Sequence, residues 1–336
     1  MFYVLQIVLK KSPLYVKLTE KEEIIMKITK KFLSVFLCIA MLFALGIPAF
    51  AAKDIPEKPY EDSQFFTTGD YTIHYRVWEA EKPKGQIFMI HGFALSSYCW
   101  TPLAEILVEN GYTCVFADLP DFGYSTRETA DMELLPREDI MHELMEYLSD
   151  DPWYVAGHSM GGYITLKLAE KYPEDVKNIL LYGTAGNDGT SDIRTKMMTN
   201  KVFVGVMGPF MQLMGRIRPL VRLLLVFALW DGKYAFDYDV SEISNPYKIK
   251  GTGKGALYSF SMLPPTDYEA VKSFSPILFV NGSKDKVITD SWRVNLRAAL
   301  PDGSVDYVVE GGGHMFIENC AEETAQVTLD FLAVNK

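Results

Sequence analysis

The stretch Gly157-His158-Ser159-Met160-Gly161-Gly162 follows an apolar run, Trp153–Gly157, and opens a segment with helical spacing, Met160–Lys171. It is G-x-S-x-G set between a strand and a helix. In that setting the chain turns sharply at the serine, which holds Ser159 in a strained conformation with its hydroxyl exposed. Side chains two residues to either side would collide, which accounts for glycine at 157 and 161. As bare spacing the match could be a Gly/Ser loop; the strand before it and the helix after it give it meaning.

Outward from this turn, short apolar runs alternate with helix-like segments. Tyr71–Trp78, Gly85–His91, Tyr112–Asp118, Trp153–Gly157, Val176–Tyr182, Ile277–Asn281 and Val305–Val309 read as strands. Pro102–Asn110, Asp139–Leu148, Met160–Lys171 and Glu322–Val334 read as helices. This alternation predicts a mostly parallel sheet covered on both faces, with ligands at the carboxyl ends of its strands. Residues 187–270 break the rhythm. They are rich in Met (Met197, Met198, Met207, Met211, Met214) and hold the apolar run Leu223–Trp230, which is too short to span a bilayer. An inserted, mainly helical cap is expected there, between core segments 52–186 and 271–336. Its Met and Phe residues serve most simply as its own core, or more sharply as a flexible apolar wall for an acyl chain. Gly251-Thr252-Gly253-Lys254-Gly255 lacks P-loop spacing and is expected to be a loop of that cap.

A serine hydroxyl is a weak nucleophile and needs a base. His314 follows Gly311-Gly312-Gly313 just after the Val305–Val309 strand, so it sits on a loop at a strand's carboxyl end and is the expected base. His158 is a poorer one, because its side chain leaves the turn in another direction. The base needs an orienting carboxylate. Asp285 follows the Ile277–Asn281 strand and completes the order Ser159, Asp285, His314. Asp188, after the preceding strand, is the runner-up. An oxyanion needs donors, and the backbone N–H groups of Phe93, at the end of the Gly85–His91 strand, and Met160 are the natural pair. His91, Gly92, His158 and Met315 are expected to border the substrate. Asn281-Gly282-Ser283 is a glycosylation sequon, discounted because it lies at a strand end.

The chain has 336 residues, formal net charge −10 and 49% hydrophobic residues, too long and too apolar for a disordered protein. Its acidic balance speaks against a nucleic-acid partner. Four cysteines make no disulfide scaffold, and with five histidines and no metal-ligand spacing no metal is expected. Residues 26–51 combine a basic start, an apolar run from Phe32 to Phe50 and the box Ala49-Phe50-Ala51, an export signal with cleavage expected after Ala51. The removed part carries seven lysines and three glutamates, leaving 285 residues of formal charge −14. The alternative is a membrane anchor formed by residues 32–50. Residues 1–25 do not resemble structure that precedes such a signal. Lys21-Glu22-Glu23 can be encoded by codons that form a ribosome-binding sequence before Met26, so translation is expected to begin there. Cys38 leaves with the signal; Cys99, Cys114 and Cys320 are expected as unpaired buried thiols.

These residues resemble the α/β-hydrolase superfamily over roughly residues 62–336. The resemblance is carried by His91-Gly92-Phe93, Trp100, Asp118-Leu119-Pro120-Asp121-Phe122-Gly123-Tyr124-Ser125, the Gly157–Gly162 turn, Gly282 with Asp285, and His314. It implies an eight-stranded sheet and a cap inserted after Tyr182. Asp121 departs from the glycine common in relatives, although Asp tolerates left-handed backbone better than most residues. The Gly-His-Ser-Met-Gly-Gly turn looks like that of monoacylglycerol lipases and related esterases. The resemblance therefore implies a serine hydrolase acting, without cofactor, on a small ester with an apolar acyl group, and the signal in residues 26–51 adds the expectation that it is exported. Relatives with this triad include C–C bond hydrolases, thioesterases, amidases and perhydrolases. Epoxide hydrolases and haloalkane dehalogenases need an Asp where this chain has Ser159. A non-catalytic binding protein on the same scaffold is the other class. A further expectation is contact of the cap with a membrane surface through Arg216, Arg218, Arg222 and Leu223–Trp230, against the plainer one of a buried helix with a few exposed arginines.

Overall fold

The computed structural model describes residues 53–335 apart from 129–131, 134, 190–199, 262 and 264. The export segment 26–51, the start at Met26, the anchor 32–50, Cys38, Met197 and Met198 lie outside the described residues. Eight strands run in chain order as β1 (Ser63–Thr68), β2 (Tyr71–Trp78), β3 (Gly85–Ile90), β4 (Tyr112–Ala117), β5 (Trp153–His158), β6 (Val176–Tyr182), β7 (Ile277–Gly282) and β8 (Val305–Val309). They form one sheet in the order β1-β2-β4-β3-β5-β6-β7-β8. β2 pairs antiparallel with both neighbours, and the pairs from β4 through β8 are parallel.

Successive side chains of a strand point to opposite faces, and a strand covered on both faces reads as a continuous apolar run. β3 follows this rule. Ile87 and Met89 join one core with Leu103 and Leu107 of helix α1 (Thr101–Glu109) and Phe331 of the closing helix. Phe88 and Ile90 join the other core with Ile140 and Leu144 of α2 (Arg137–Leu148) and Ile164 and Leu168 of α3 (Met160–Lys171). The edge strand β1 was not expected. Its Phe65-Phe66 pair breaks the alternation because each ring finds a partner on its own face: Phe65 packs on His74 and Phe66 on Tyr147.

Between β6 and β7 lie α4 (Lys201–Arg216), α5 (Arg218–Leu229), α6 (Gly232–Asp237), α7 (Ser241–Ser244), α8 (Thr252–Ser261) and α9 (Tyr268–Val271). No helix among the described residues is long and apolar enough to cross a membrane. The Gly251–Gly255 run, expected as a loop, instead leads into and forms the first turn of α8. Gly253 serves helix packing: a Cβ there would lie 2.0 Å from the Gly208 carbonyl of α4. After β7 come α10 (Asp290–Ala298), α11 (Phe316–Asn319) and α12 (Ala321–Val334). Cys99 and Cys114 are buried and unpaired; Cys320 is also unpaired but only half-buried, against the expectation for it. Asn281 is buried at the end of β7, so the sequon offers no surface for a glycan.

Candidate active site

Ser159 joins β5 to α3 at φ 51° and ψ −116°, a region costly for a residue with a side chain. Its neighbours make the turn possible. A Cβ on Gly157 would lie 2.6 Å from the Gly161 carbonyl, and one on Gly161 would lie 2.1 Å from the Ile90 carbonyl. The second clash is with the end of β3, so the glycine at 161 is required by the neighbouring strand as well as by the turn itself. Met160 begins α3, so its amide is one of the first-turn donors without an intrahelical acceptor, at the positive end of the helix dipole.

His314 stands on the loop after β8. Its Nε2 lies 2.9 Å from Ser159 Oγ and its Nδ1 2.9 Å from Asp285 Oδ2. The loop is pinned from the insertion: the Ala228 carbonyl of α5 accepts from the His314 amide at 2.6 Å and from the Met315 amide at 3.1 Å. Asp285 Oδ1 accepts from the Val287 and Ile288 amides, and its Oδ2 accepts from Arg293 of α10 at 2.6 Å. Burial alone would raise this carboxyl; His314, the Ile288 amide and Arg293 together hold it below the ordinary carboxylate range. Arg293 was not expected here. Its signal was present in the sequence: an arginine three residues before Leu296, sharing the buried face of an otherwise polar helix.

Asp188 is exposed and takes hydrogen bonds from Tyr268 and Asn295, so the acid beside His314 is Asp285. His158 is fully buried, with Nε2 donating to the His314 carbonyl at 2.9 Å. Burial, then the adjacent His314, push it down to about 3. It thus stays neutral and props the backbone of His314. His91 Nε2 accepts from the Leu119 amide, which leaves Nδ1–H to donate to the Gly92 carbonyl.

The site opens into a cavity of about 810 Å³ bordered by both the sheet's loops and the insertion. Phe93, Met160, His158, Met315, Ser159 and His314 line it. His91 and Gly92, expected beside the substrate, do not. His91 ties the loop after β3 to Leu119 from behind, and Gly92 leaves room for the turn, since a Cβ there would lie 3.0 Å from that of Ser159. Met214, Val221, Leu224 and Leu225 form an apolar wall, and Asn187, Asp188 and Ser291 a polar edge. The arrangement can activate a hydroxyl beside an apolar chamber.

The profile of the alpha/beta hydrolase fold family matches residues 86–319. Lipase 3 of Moraxella sp. is 37% identical over 103 residues, 30% of this chain and 32% of that protein. A monoacylglycerol lipase of Mus musculus is 23% identical over 281 residues, 79% of this chain and 80% of that one. Among solved structures, the meta-cleavage product hydrolase of Pseudomonas fluorescens superposes with a TM-score of 0.66 at 17% identity, covering 81% of this chain and 98% of that chain. That likeness is one of fold.

Proposed function

The chain belongs to the α/β-hydrolase fold family, and from that membership we propose that it is a serine hydrolase of carboxylic esters with an apolar acyl group. The observation that carries this reading is the hydrogen-bonded relay from Ser159 through His314 to Asp285 at the edge of an apolar cavity. The lipases among its relatives support ester chemistry.

On this reading His314 takes the Ser159 proton as Oγ attacks the ester carbonyl. The Phe93 and Met160 amides hold the oxyanion. His314 then gives the proton to the leaving alcohol as the C–O bond breaks, and the acyl group stays on Ser159. Water, activated by His314, releases the acid by the same path. Asp285 holds His314 in the tautomer this needs and stabilises its charged form. The helices between β6 and β7 act as the cap that selects the acyl group, and residues 26–51 export the chain.

The test is hydrolysis of p-nitrophenyl esters of graded acyl length by the protein and by Ser159→Ala. Turnover that peaks at one chain length and falls by at least about 10⁴ in the variant is expected. Equal turnover by both proteins would overturn the assignment of Ser159. No turnover of any ester by the folded protein would move C–C, thioester or amide substrates ahead.

A further inference from the structure

Helix α5 is apolar on two opposite sides, with Arg218 and Arg222 its only charged residues. Val221, Leu225 and Leu229 are buried, yet Leu223, Leu224 and Phe227 on the opposite side are 65%, 59% and 49% exposed. An apolar side left exposed opposite the packed one is normally covered by protein or by lipid. Trp230, which follows α5, and Trp292, which lines the same cavity as Leu224, are 48% and 57% exposed. Leu224 belongs to both the exposed side of α5 and the cavity wall. An uncovered apolar patch of this kind marks an interaction surface.

The charges say which partner fits. From Lys201 to Trp230 the chain carries four basic residues and no acidic one, in a protein of net charge −10. Arg218 is exposed at the start of α5, and Lys286 lies 5.7 Å from the Trp230 ring. Asp231 caps α6 by accepting from the Tyr234 amide and Asp239 accepts from Ser241, while Asp237 at the end of α6 and Asp188 on the cavity edge are exposed, so the basic character belongs to α4 and α5 and not to the whole rim. A second copy docking through the same face would oppose like charges, because a two-fold interface pairs a patch with itself.

We propose that α5 and the cavity rim dock on a lipid–water interface bearing anionic head groups, with the apolar side chains entering the acyl region and the cavity mouth turned toward it. Tryptophan favours such boundaries, where one end of the ring is apolar and the other wet. This proposal concerns where the chain sits, and its test reads binding, so it stands or falls separately from the ester reading.

The chain has five tryptophans, none of them in residues 1–52. Trp100 and Trp153 are buried, and Trp78 is half-buried on β2, away from the cavity, with Nε1 donating to Asp62. Trp230 and Trp292 therefore report on the patch, and attachment through the N-terminal segment leaves them silent. The full-length chain is mixed with phosphatidylcholine vesicles containing phosphatidylglycerol, their acyl chains brominated to quench indole emission. Emission is expected to fall on binding. Trp230→Phe with Trp292→Phe should lose most of the quenching while still sedimenting with vesicles. Leu223→Ser with Phe227→Ser should abolish the quenching with an unchanged circular dichroism spectrum. Arg218→Gln should weaken partition about fivefold at low salt. The proposal is overturned if the chain sediments with vesicles and no quenching occurs, or if it does not associate. A dimer that dissociates in the Leu223/Phe227 variant would assign the face to a second copy instead.

Discussion

Ser159 and Ser63 each end a Ser–His–Asp chain of hydrogen bonds, and the backbone separates their roles. Ser63 Oγ lies 2.8 Å from His74 Nε2, whose Nδ1 lies 2.8 Å from Asp118 Oδ2. Ser63, however, sits on the edge strand β1, accepts from the Tyr60 amide, and lies away from the cavity, as do His74 and Asp118. Asp118 also takes the Ser97 and Tyr124 amides, so this second chain braces loops. Around the Ser159 site, Arg293 is a positioning residue. Arg293→Met leaves Asp285 buried without its cation, and a loss of about 3 kcal/mol in urea denaturation is expected. Burial then pushes the Asp285 carboxyl up, so the acid limb of the pH–activity profile should move to higher pH; an unmoved limb would reduce Arg293 to a structural role. Asp121 behaves oppositely. It adopts φ 75° and shares Arg137 with Glu128 in a buried cluster. Burial, then Glu128, push its carboxyl up to about 7, Arg137 offsetting only part. The unfolded carboxyl titrates near about 3.9. The folded state therefore holds the extra proton between these values, and this group's stability contribution falls as pH rises from about 4 to 7. Asp121→Asn, which tolerates the same φ, should show a melting temperature that declines less over that range than the native chain's. Parallel melting curves would refute the assignment.

At the scale of elements, glycines decide how closely segments approach. The tight turn at Ser159 needs them because β3, β5 and α3 converge there. The crossing of α4 and α8 needs them because backbone meets backbone at Gly208 and Gly253. Gly253→Ala should cost about 1–3 kcal/mol through overpacking, read as a lower urea midpoint with an unchanged slope. Stability equal to the native chain's would mean that the helices can part without loss. The strand–turn–helix unit was readable from local pattern, with Met160–Lys171, Val176–Tyr182 and Val305–Val309 recovered to the residue. The α8 helix was not, because its glycines read locally as a turn and only the opposing α4 backbone explains them. Likewise α5 showed its apolar run in sequence, but which face lies outward depended on what α6, α7 and the His314 loop left uncovered.

At the scale of the molecule, the sheet supplies the Ser159, Asp285 and His314 loops from one end, and the insertion supplies the apolar wall opposite them. Met214, half-buried in that wall, tests the division of labour. Met214→Trp should cut kcat/KM for a long-chain ester by about tenfold and leave an acetate ester within about twofold; equal losses on both would place the acyl group elsewhere. The parallel sheet, the sharp turn at Ser159 and the identities of the three side chains around it were legible because periodicity and turn chemistry are local properties. The join of β1 to the edge, the cation behind Asp285 and the wall of the cavity were not. They arise where distant segments meet: His314 lies 155 residues from Ser159 and its amide bonds to a carbonyl of the insertion. Such contacts depend on desolvation and on exact approach of backbones, which exist only once the chain has closed on itself.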